Sequence, residues 1–416
     1  MAEWSTWADN AREISEEAPQ MSGRVHVLGL GNVGTFIAHS LASRQSPPPI
    51  SLLLHNTDLL REFRRKKYSL AINHQGMDEV KGGFDVEVLS HSEWYKVDTT
   101  QVKSKDRKRK IPEEEDQFES AVDEEDIDCL IVCTKANVTE KAIQTLKHRL
   151  TSNSTICLVQ SGMGLISRLN ETVFPDSNNR PHYIESAFSH YLSRQHPFHI
   201  AHNSPGTLVL SPAVTEKTPL IEAEKDTHWV PSTKHLLRLL TLTPQLVATV
   251  ETPAGLLQHR LEKQVVNCII GPLTAINDCK NGELLYIFSA TRLMRLLLFE
   301  ISSVICSLPE LQGIPGIQSR FSPERLRRMV TYTMSKTANN TSSMLQDVKD
   351  RKVTEVEYFN GWIVRRGEEL GLKCVLNYMV KHMVHTKLVV NMRRDNSAVP
   401  LDLENVIITG DPQIDD

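Results

Sequence analysis

The sequence predicts two domains of different class, an α/β domain over residues 23–252 and an all-α domain over residues 253–390. Three observations carry this expectation. Apolar runs of strand length alternate with helical patterns, as at "RVHVLGLGNVGTFIAHSLASR", "ISLLLH", "IDCLIVCTKA" and "STICLVQSGMG". That is the pattern of a mostly parallel sheet covered by helices on both faces. From residue 253 onward it gives way to helical periodicity. The length of 416 residues leaves room for two cores, and 40% hydrophobic with 24% charged residues is an ordinary globular composition.

In chain order, residues 1–22 hold five acidic residues and no apolar segment. They read as a flexible extension, unlike a secretory signal or an Arg-rich transit peptide. A strand, a glycine turn and a helix follow, with Gly29, Leu30, Gly31, Asn32, Val33 and Gly34 spelling G-L-G-N-V-G at the junction. Glycine at 29 permits the tight turn, at 31 lets a pyrophosphate approach the backbone, and at 34 lets helix and strand pack closely. In this strand–turn–helix setting the motif predicts a Rossmann-type dinucleotide site, against the plainer alternative of a tight structural turn.

The second strand ends at His55 and Asn56. An NAD site usually carries an acid there for the ribose 2′-hydroxyl. Here there is none, and Arg61, Arg64, Arg65 and Lys66 stand close behind. These bases suit the 2′-phosphate of NADPH. The plainer alternatives are an exposed helix face, or an NAD site served by Asp58 from a displaced position.

Residues 91–126 contain the basic run "KSKDRKRK" and then "EEEDQFESAVDEEDID". Segregated charge and low hydrophobicity predict a disordered charged insertion, a self-pairing solvated loop rather than a nuclear address or an RNA contact. Further strand candidates lie at "HYIESAFSHYLS" and "PGTLVLSPA", and residues 391–416 read as an acidic tail.

Within the helical part, "LEKQVVNCIIGPLTAIND" is mostly apolar, yet Lys263 and Asn267 stand four apart on one helix face, and Gly271 continues that stripe. Burying a lone ammonium is costly, so this face is either a helix edge or a place of chemistry. Farther on, Thr354 and Glu357 have capping-box spacing, which predicts a helix from there to before Gly371 with Glu355 at its first position.

At these residues a resemblance becomes specific. "EKQVVNCIIGPLTAINDCKNGEL" and "NNTSSMLQDVKDRKVTEVEYFNG" resemble the C-terminal domain of ketopantoate reductase, and "VHVLGLGNVG", "CTKA" and "VQSGMG" are similar to its N-terminal domain in the same order. The resemblance covers roughly residues 24–385. It implies a helical domain of the 6-phosphogluconate dehydrogenase C-terminal type and the NADPH-dependent reduction of 2-dehydropantoate to pantoate, in pantothenate and coenzyme A synthesis. It also implies that Lys263 is the general acid, that Asn267, Ser343 and Glu355 bind substrate, and that Lys135 lines the cofactor cleft. Three positions depart from the family pattern. His55 stands for a 2′-phosphate-binding arginine, Ser161 for an asparagine near nicotinamide and substrate, and Gly271 for an asparagine on the catalytic helix.

The leading expectation is therefore an NADPH-dependent 2-oxo acid reductase without a metal. The alternative is a catalytically impaired relative acting as a binding or regulatory factor. A homodimer is compatible with either. The net charge of −4 gives no reason to expect nucleic acid, and no apolar run reaches the length of a membrane span. Seven cysteines without a CxxC pair or zinc-like spacing suit a reducing compartment. The expectation is the cytoplasm, with mitochondrial import through an internal signal as the alternative.

Overall fold

The computed structural model describes residues 21–99, 123–215 and 228–395. The chain divides into two compact units, and the division is not a single cut near residue 253. The first unit takes residues 1–134, 141–160 and 170–253, and the second takes 135–140, 161–169 and 254–416. The first is an α/β domain of Rossmann type and the second is helical, the class the sequence predicts.

In chain order the elements up to residue 250 are β1 (Val25–Leu28), α1 (Asn32–Ala42), β2 (Ile50–Leu54), α2 (Thr57–Arg65), β3 (Leu70–His74), β4 (Met77–Lys81), β5 (Asp85–Ser90), β6 (Glu93–Val97), β7 (Cys129–Val132), α3 (Ala136–Gln144), β8 (Thr155–Leu158), α4 (Leu165–Thr172), β9 (His182–Phe188), β10 (Tyr191–His196), β11 (His199–Ser204), β12 (Leu208–Pro212), α5 (Pro231–Thr241) and β13 (Ala248–Val250). A nine-stranded sheet runs β13-β12-β9-β8-β7-β1-β2-β5-β6, parallel from β9 to β5, and a four-stranded sheet runs β10-β11-β3-β4. Every residue of β1, β2, β7 and β8 is buried. Strands buried on both faces give the continuous apolar runs that make them legible in sequence. The hairpin of β3 and β4 turns at Gln75 and Gly76, both at positive φ, and its strands are largely polar and accessible. Without an apolar run, it escapes a reading by hydrophobicity.

The expectation of a disordered insertion over 91–126 needs correction at both ends. Residues 93–97 form β6, antiparallel to β5, with Trp94 1% exposed. Its indole donates to Thr145 Oγ1 at 3.1 Å. On the far side, the Asp123 amide donates to Trp94 O at 2.8 Å. Charge counting obscured one buried aromatic and a short β pattern. Residues 100–122, with the basic run, lie outside the described residues, as do 1–20 of the expected N-terminal extension.

A buried charge network locks this edge of the sheet. Arg149, fully buried, gives Nη1 to Glu87 Oε2 at 2.6 Å and Nε to the Glu125 carbonyl at 2.7 Å. Its Nη2 lies 3.4 Å from Asp123 Oδ2, and Lys96 reaches Asp123 at 3.3 Å. His26 Nε2 approaches Glu87 at 3.4 Å. Burial pushes the Glu87 carboxyl up, but hydrogen bonds from His26 and Arg149 outweigh it and hold the group below its usual range.

The four-stranded sheet carries a second polar cluster. The Leu246 carbonyl can only accept, so the ring nitrogen 2.9 Å from it, His190 Nε2, carries the proton. His190 Nδ1 then accepts from Gly206 N–H at 3.2 Å and lies 3.2 Å from His202 Nε2. Protonating Nδ1 would lose both partners. Burial lowers the pKa of His39, His190 and His202 below the ordinary imidazole value. The unfolded chain therefore takes up these protons first as pH falls. The resulting stability is complete above about pH 6.5 and is lost below it. We expect the urea midpoint to fall between pH 7.5 and 5.5, and His190→Gln with His202→Gln to flatten that slope. A midpoint constant over this window would contradict the assignment.

The helical unit is built on α6 (Pro253–Asn277), α7 (Phe288–Cys306), α8 (Ile317–Arg320), α9 (Pro323–Lys336), α10 (Ser343–Lys349), α11 (Asn360–Glu369) and α12 (Val375–Asp395). Pro272 inside α6 has no N–H to give to the carbonyl of Cys268, four residues back. That carbonyl instead accepts from Asn360 Nδ2 at 3.0 Å. Asn360 also bonds Asn377 Oδ1 at 3.0 Å, and Glu300 accepts from the Leu376 and Asn377 amides, capping α12. The defect in α6 thus becomes its anchor to α11 and α12.

Two boundary expectations change here. α12 continues to Asp395, so residues 391–395 are helix rather than tail, and 396–416 lie outside the described residues. The capping box at Thr354 and Glu357 does not form. A 3-10 turn spans Val356–Tyr358, Phe359 breaks the backbone, and α11 starts at Asn360. Glu357 is drawn away by Arg365, Lys381 and His385. The expected stop holds, with Gly371 at φ +70°. Among the described residues no helix is long and apolar enough to cross a membrane.

Candidate active site

The glycine turn in the first unit has the geometry a dinucleotide needs. Gly29 sits at φ +95°, and a Cβ there would stand 2.7 Å from Thr134 N. A Cβ on Gly34 would stand 2.1 Å from the Gly29 carbonyl, so strand and helix meet only because 34 is glycine. At Gly31 a Cβ would meet nothing within 4 Å, which leaves open space beside the backbone. Gly31 is also the N-cap of α1, with no side-chain capping bond and no acid in the first turn. Asn32, Val33 and the following amides therefore present a helix N-terminus, suited to a phosphate. Leu30 belongs to the turn itself. His55 follows β2 and is exposed. Asn56 caps α2 by accepting from Leu59 N at 2.8 Å. Asp58 pairs with Arg61 at 2.8 Å, and Arg64 donates to the Tyr68 hydroxyl at 3.0 Å.

The other candidate residues fall in the second unit: Lys135, Ser161, Lys263, Asn267, Ser343 and Glu355. Lys263 and Asn267 are half-buried on α6, one turn apart. Burial pushes the Lys263 ammonium down to about 8, against the raising effect of Glu355 and with the lowering effect of Arg260. Glu355 sits just before the 3-10 turn and accepts from the Ala136 N–H at 2.8 Å, so it caps α3. Burial raises its carboxyl, opposed by that N–H and by Lys135 and Lys263. Lys135 is ion-paired with Asp347 of α10. Ser343 is the exposed first residue of α10, whose cap is its neighbour Ser342, accepting from Leu345 N at 3.1 Å.

The loop holding Ser161 is pinned to the same cluster. Gly162, at φ +102°, leaves only 2.9 Å between a built Cβ and Tyr358 Cβ. Its carbonyl accepts from Arg260 Nη2 at 2.9 Å, and Gln264 Nε2 donates to the carbonyls of Tyr358 and Phe359 at 2.9 and 3.0 Å. An ammonium near neutrality, beside a carboxylate and an amide on one helix face, is equipped to deliver a proton to a polar substrate.

Residues 25–214 match the family Ketopantoate reductase PanE/ApbA, and residues 256–388 match Ketopantoate reductase PanE/ApbA C terminal. The chain belongs to the ketopantoate reductase family. A probable 2-dehydropantoate 2-reductase of Schizosaccharomyces pombe is 26% identical over 90% of this chain and 99% of its own length. The Saccharomyces cerevisiae 2-dehydropantoate 2-reductase is 22% identical over 91% and 97%. A ketoisovalerate reductase of Gibberella fujikuroi is 26% identical over 84% and 79%. The fold is that of a ketopantoate reductase of Ralstonia eutropha, with a TM-score of 0.62 at 18% identity, covering 89% of this chain and 99% of that one. Another neighbour, D-mandelate dehydrogenase with NADH and anilino(oxo)acetate, has a TM-score of 0.60 at 18% identity, with the same coverage. The chain is thus a 2-dehydropantoate 2-reductase-like oxidoreductase.

In this ketopantoate reductase family member, three residues at the site were not singled out by sequence: Arg260, Gln264 and Asp347. Asp347 is 5% exposed and its carboxyl is raised by burial against the pull of Lys135. A signal was present for two of them. Arg260 stands three residues before Lys263 and Asp347 four after Ser343, each on the next turn of the same helix.

Proposed function

We propose that the protein reduces a 2-oxo acid with NADPH, with 2-dehydropantoate as the substrate and pantoate as the product. The carrying observation is Lys263, whose ammonium is lowered to about 8 beside Glu355 and Arg260. The bound dinucleotide supplies a hydride to the keto carbon. Lys263 polarises the carbonyl, stabilises the developing alkoxide and gives it a proton. Asn267 and Ser343 hydrogen-bond the substrate, and Glu355 holds Lys263 charged while fixing the start of α3. In the first unit, Gly29 to Gly34 hold the pyrophosphate, with His55, Lys135 and Ser161 assigned to the remainder of the cofactor.

Oxidation of NADPH by purified protein with 2-dehydropantoate tests this reading, and no turnover would end it. The bases of α2 favour the 2′-phosphate, so NADPH should bind about tenfold or more tighter than NADH. Equal affinities by calorimetry would remove the assignment of those bases, and tighter NADH binding would shift the role to Asp58. A relative from Staphylococcus aureus, a neighbour at a TM-score of 0.58 and 15% identity covering 88% of this chain and 99% of that one, is described as dimeric. A homodimer acting in the cytoplasm, in pantothenate synthesis, completes the proposal.

A further inference from the structure

Lys263, Asn267 and Gly271 share one face of α6, and the third position brings no side chain. Its place is filled by Met344, the second residue of α10. A Cβ at 271 would lie 3.3 Å from Met344 Cβ, 3.3 Å from its Cε and 3.4 Å from its Sδ. Met344 is 2% exposed. Its position is held from both sides. The hydroxyls of Thr274 and Ser342 meet at 2.7 Å, tying α6 to the cap of α10. The Thr274 hydroxyl is further committed to the carbonyls of Ile270 at 2.7 Å and Gly271 at 2.9 Å. Along this stripe an ammonium and an amide are thus followed by a thioether, next in sequence to Ser343.

We infer that Met344 determines substrate class: it presents an apolar wall that reads the branched alkyl end of a 2-oxo acid by shape and gives no partner to a hydroxyl there. This rests on the reductase reading above and deepens it. A thioether is a weak acceptor and no donor, while its flexibility and polarisability let it pack against branched carbon. A hydroxyl placed against it loses water without a replacement bond, whereas a methyl there gains contact. The site therefore takes branched 2-oxo acids with or without a terminal hydroxyl. Glycine at 271 is what admits the methionine, since any larger residue would displace it.

The test uses a minimal substrate pair, 2-dehydropantoate and trimethylpyruvate, which has the same carbon skeleton without the hydroxyl. The wild type should turn over both with kcat/KM values within about tenfold of each other. Met344→Gln, a near-isostere with an amide, should shift the ratio about tenfold toward the hydroxylated acid, and Met344→Leu should leave the ratio in place. If the buried glutamine unfolds the chain, Gly271→Ser puts a hydroxyl on the same wall and should shift the ratio in the same direction. A wild type preferring 2-dehydropantoate by far more than tenfold, or a folded polar variant with an unmoved ratio, overturns the role of Met344 and leaves the reductase reading standing. Turnover of neither acid overturns the reductase reading, and this inference with it.

Discussion

Replacing Lys263 with alanine should lower turnover by roughly a hundredfold or more while leaving NADPH affinity nearly unchanged, the scale on which a positioned general acid acts. The pH profile gives a second, independent signature. The proton donor must be charged, so with its ammonium lowered to about 8, turnover should be flat below that value and decline above it. Glu355→Gln should move this limb to lower pH, because Glu355 is the group that raises Lys263. A glutamine can still accept from the Ala136 N–H through its carbonyl oxygen, so the cap on α3 should survive and a shift would report charge rather than collapse. A drop of less than tenfold in Lys263→Ala, or a limb that ignores residue 355, would show that another group gives the proton.

The largest stability effect should come from Arg149→Met. The substitution removes the guanidinium from between two carboxylates that are themselves buried, Glu87 at 2% and Asp123 at 3% exposure. Stranding buried charges in this way costs about 3–5 kcal/mol, far more than breaking any exposed pair. Urea denaturation should show the loss, and adding Glu87→Gln should recover part of it by removing one of the stranded charges. The sign with pH follows from Glu87, which is held below its usual range in the folded protein. Its contribution is present above the unfolded carboxyl value, about 4.3, and disappears as pH falls through the folded one. Arg149→Met should therefore weaken the loss of stability on acidification. A cost below about 1 kcal/mol would mean that the network merely fills space.

Trp94 and Asp123 explain why this network was not legible beforehand. A window dominated by charge averages away one indole, and the partners of Arg149 come from segments that no short window contains. The same limit applied to the capping-box reading of Thr354. Its spacing is right, but Glu357 finds stronger partners in Arg365, Lys381 and His385. Local preference gives way where tertiary charge pairs compete for the same carboxylate.

What sequence alone determined is whatever repeats or is spaced within one element. Buried parallel strands announce themselves as apolar runs, a glycine turn by its fixed offsets, and the Lys263–Asn267 face by a separation of four, because backbone geometry converts spacing directly into a shared side. What only the tertiary structure decided is every property that depends on a neighbour distant in the chain. Glu355 meets the Ala136 amide across 219 residues, and Lys135 meets Asp347 across 212. Met344 occupies the space vacated at Gly271. The Lys263 ammonium descends toward neutrality chiefly because the folded chain removes water from around it. Burial and opposing charge are set by three-dimensional packing, and no periodicity encodes them.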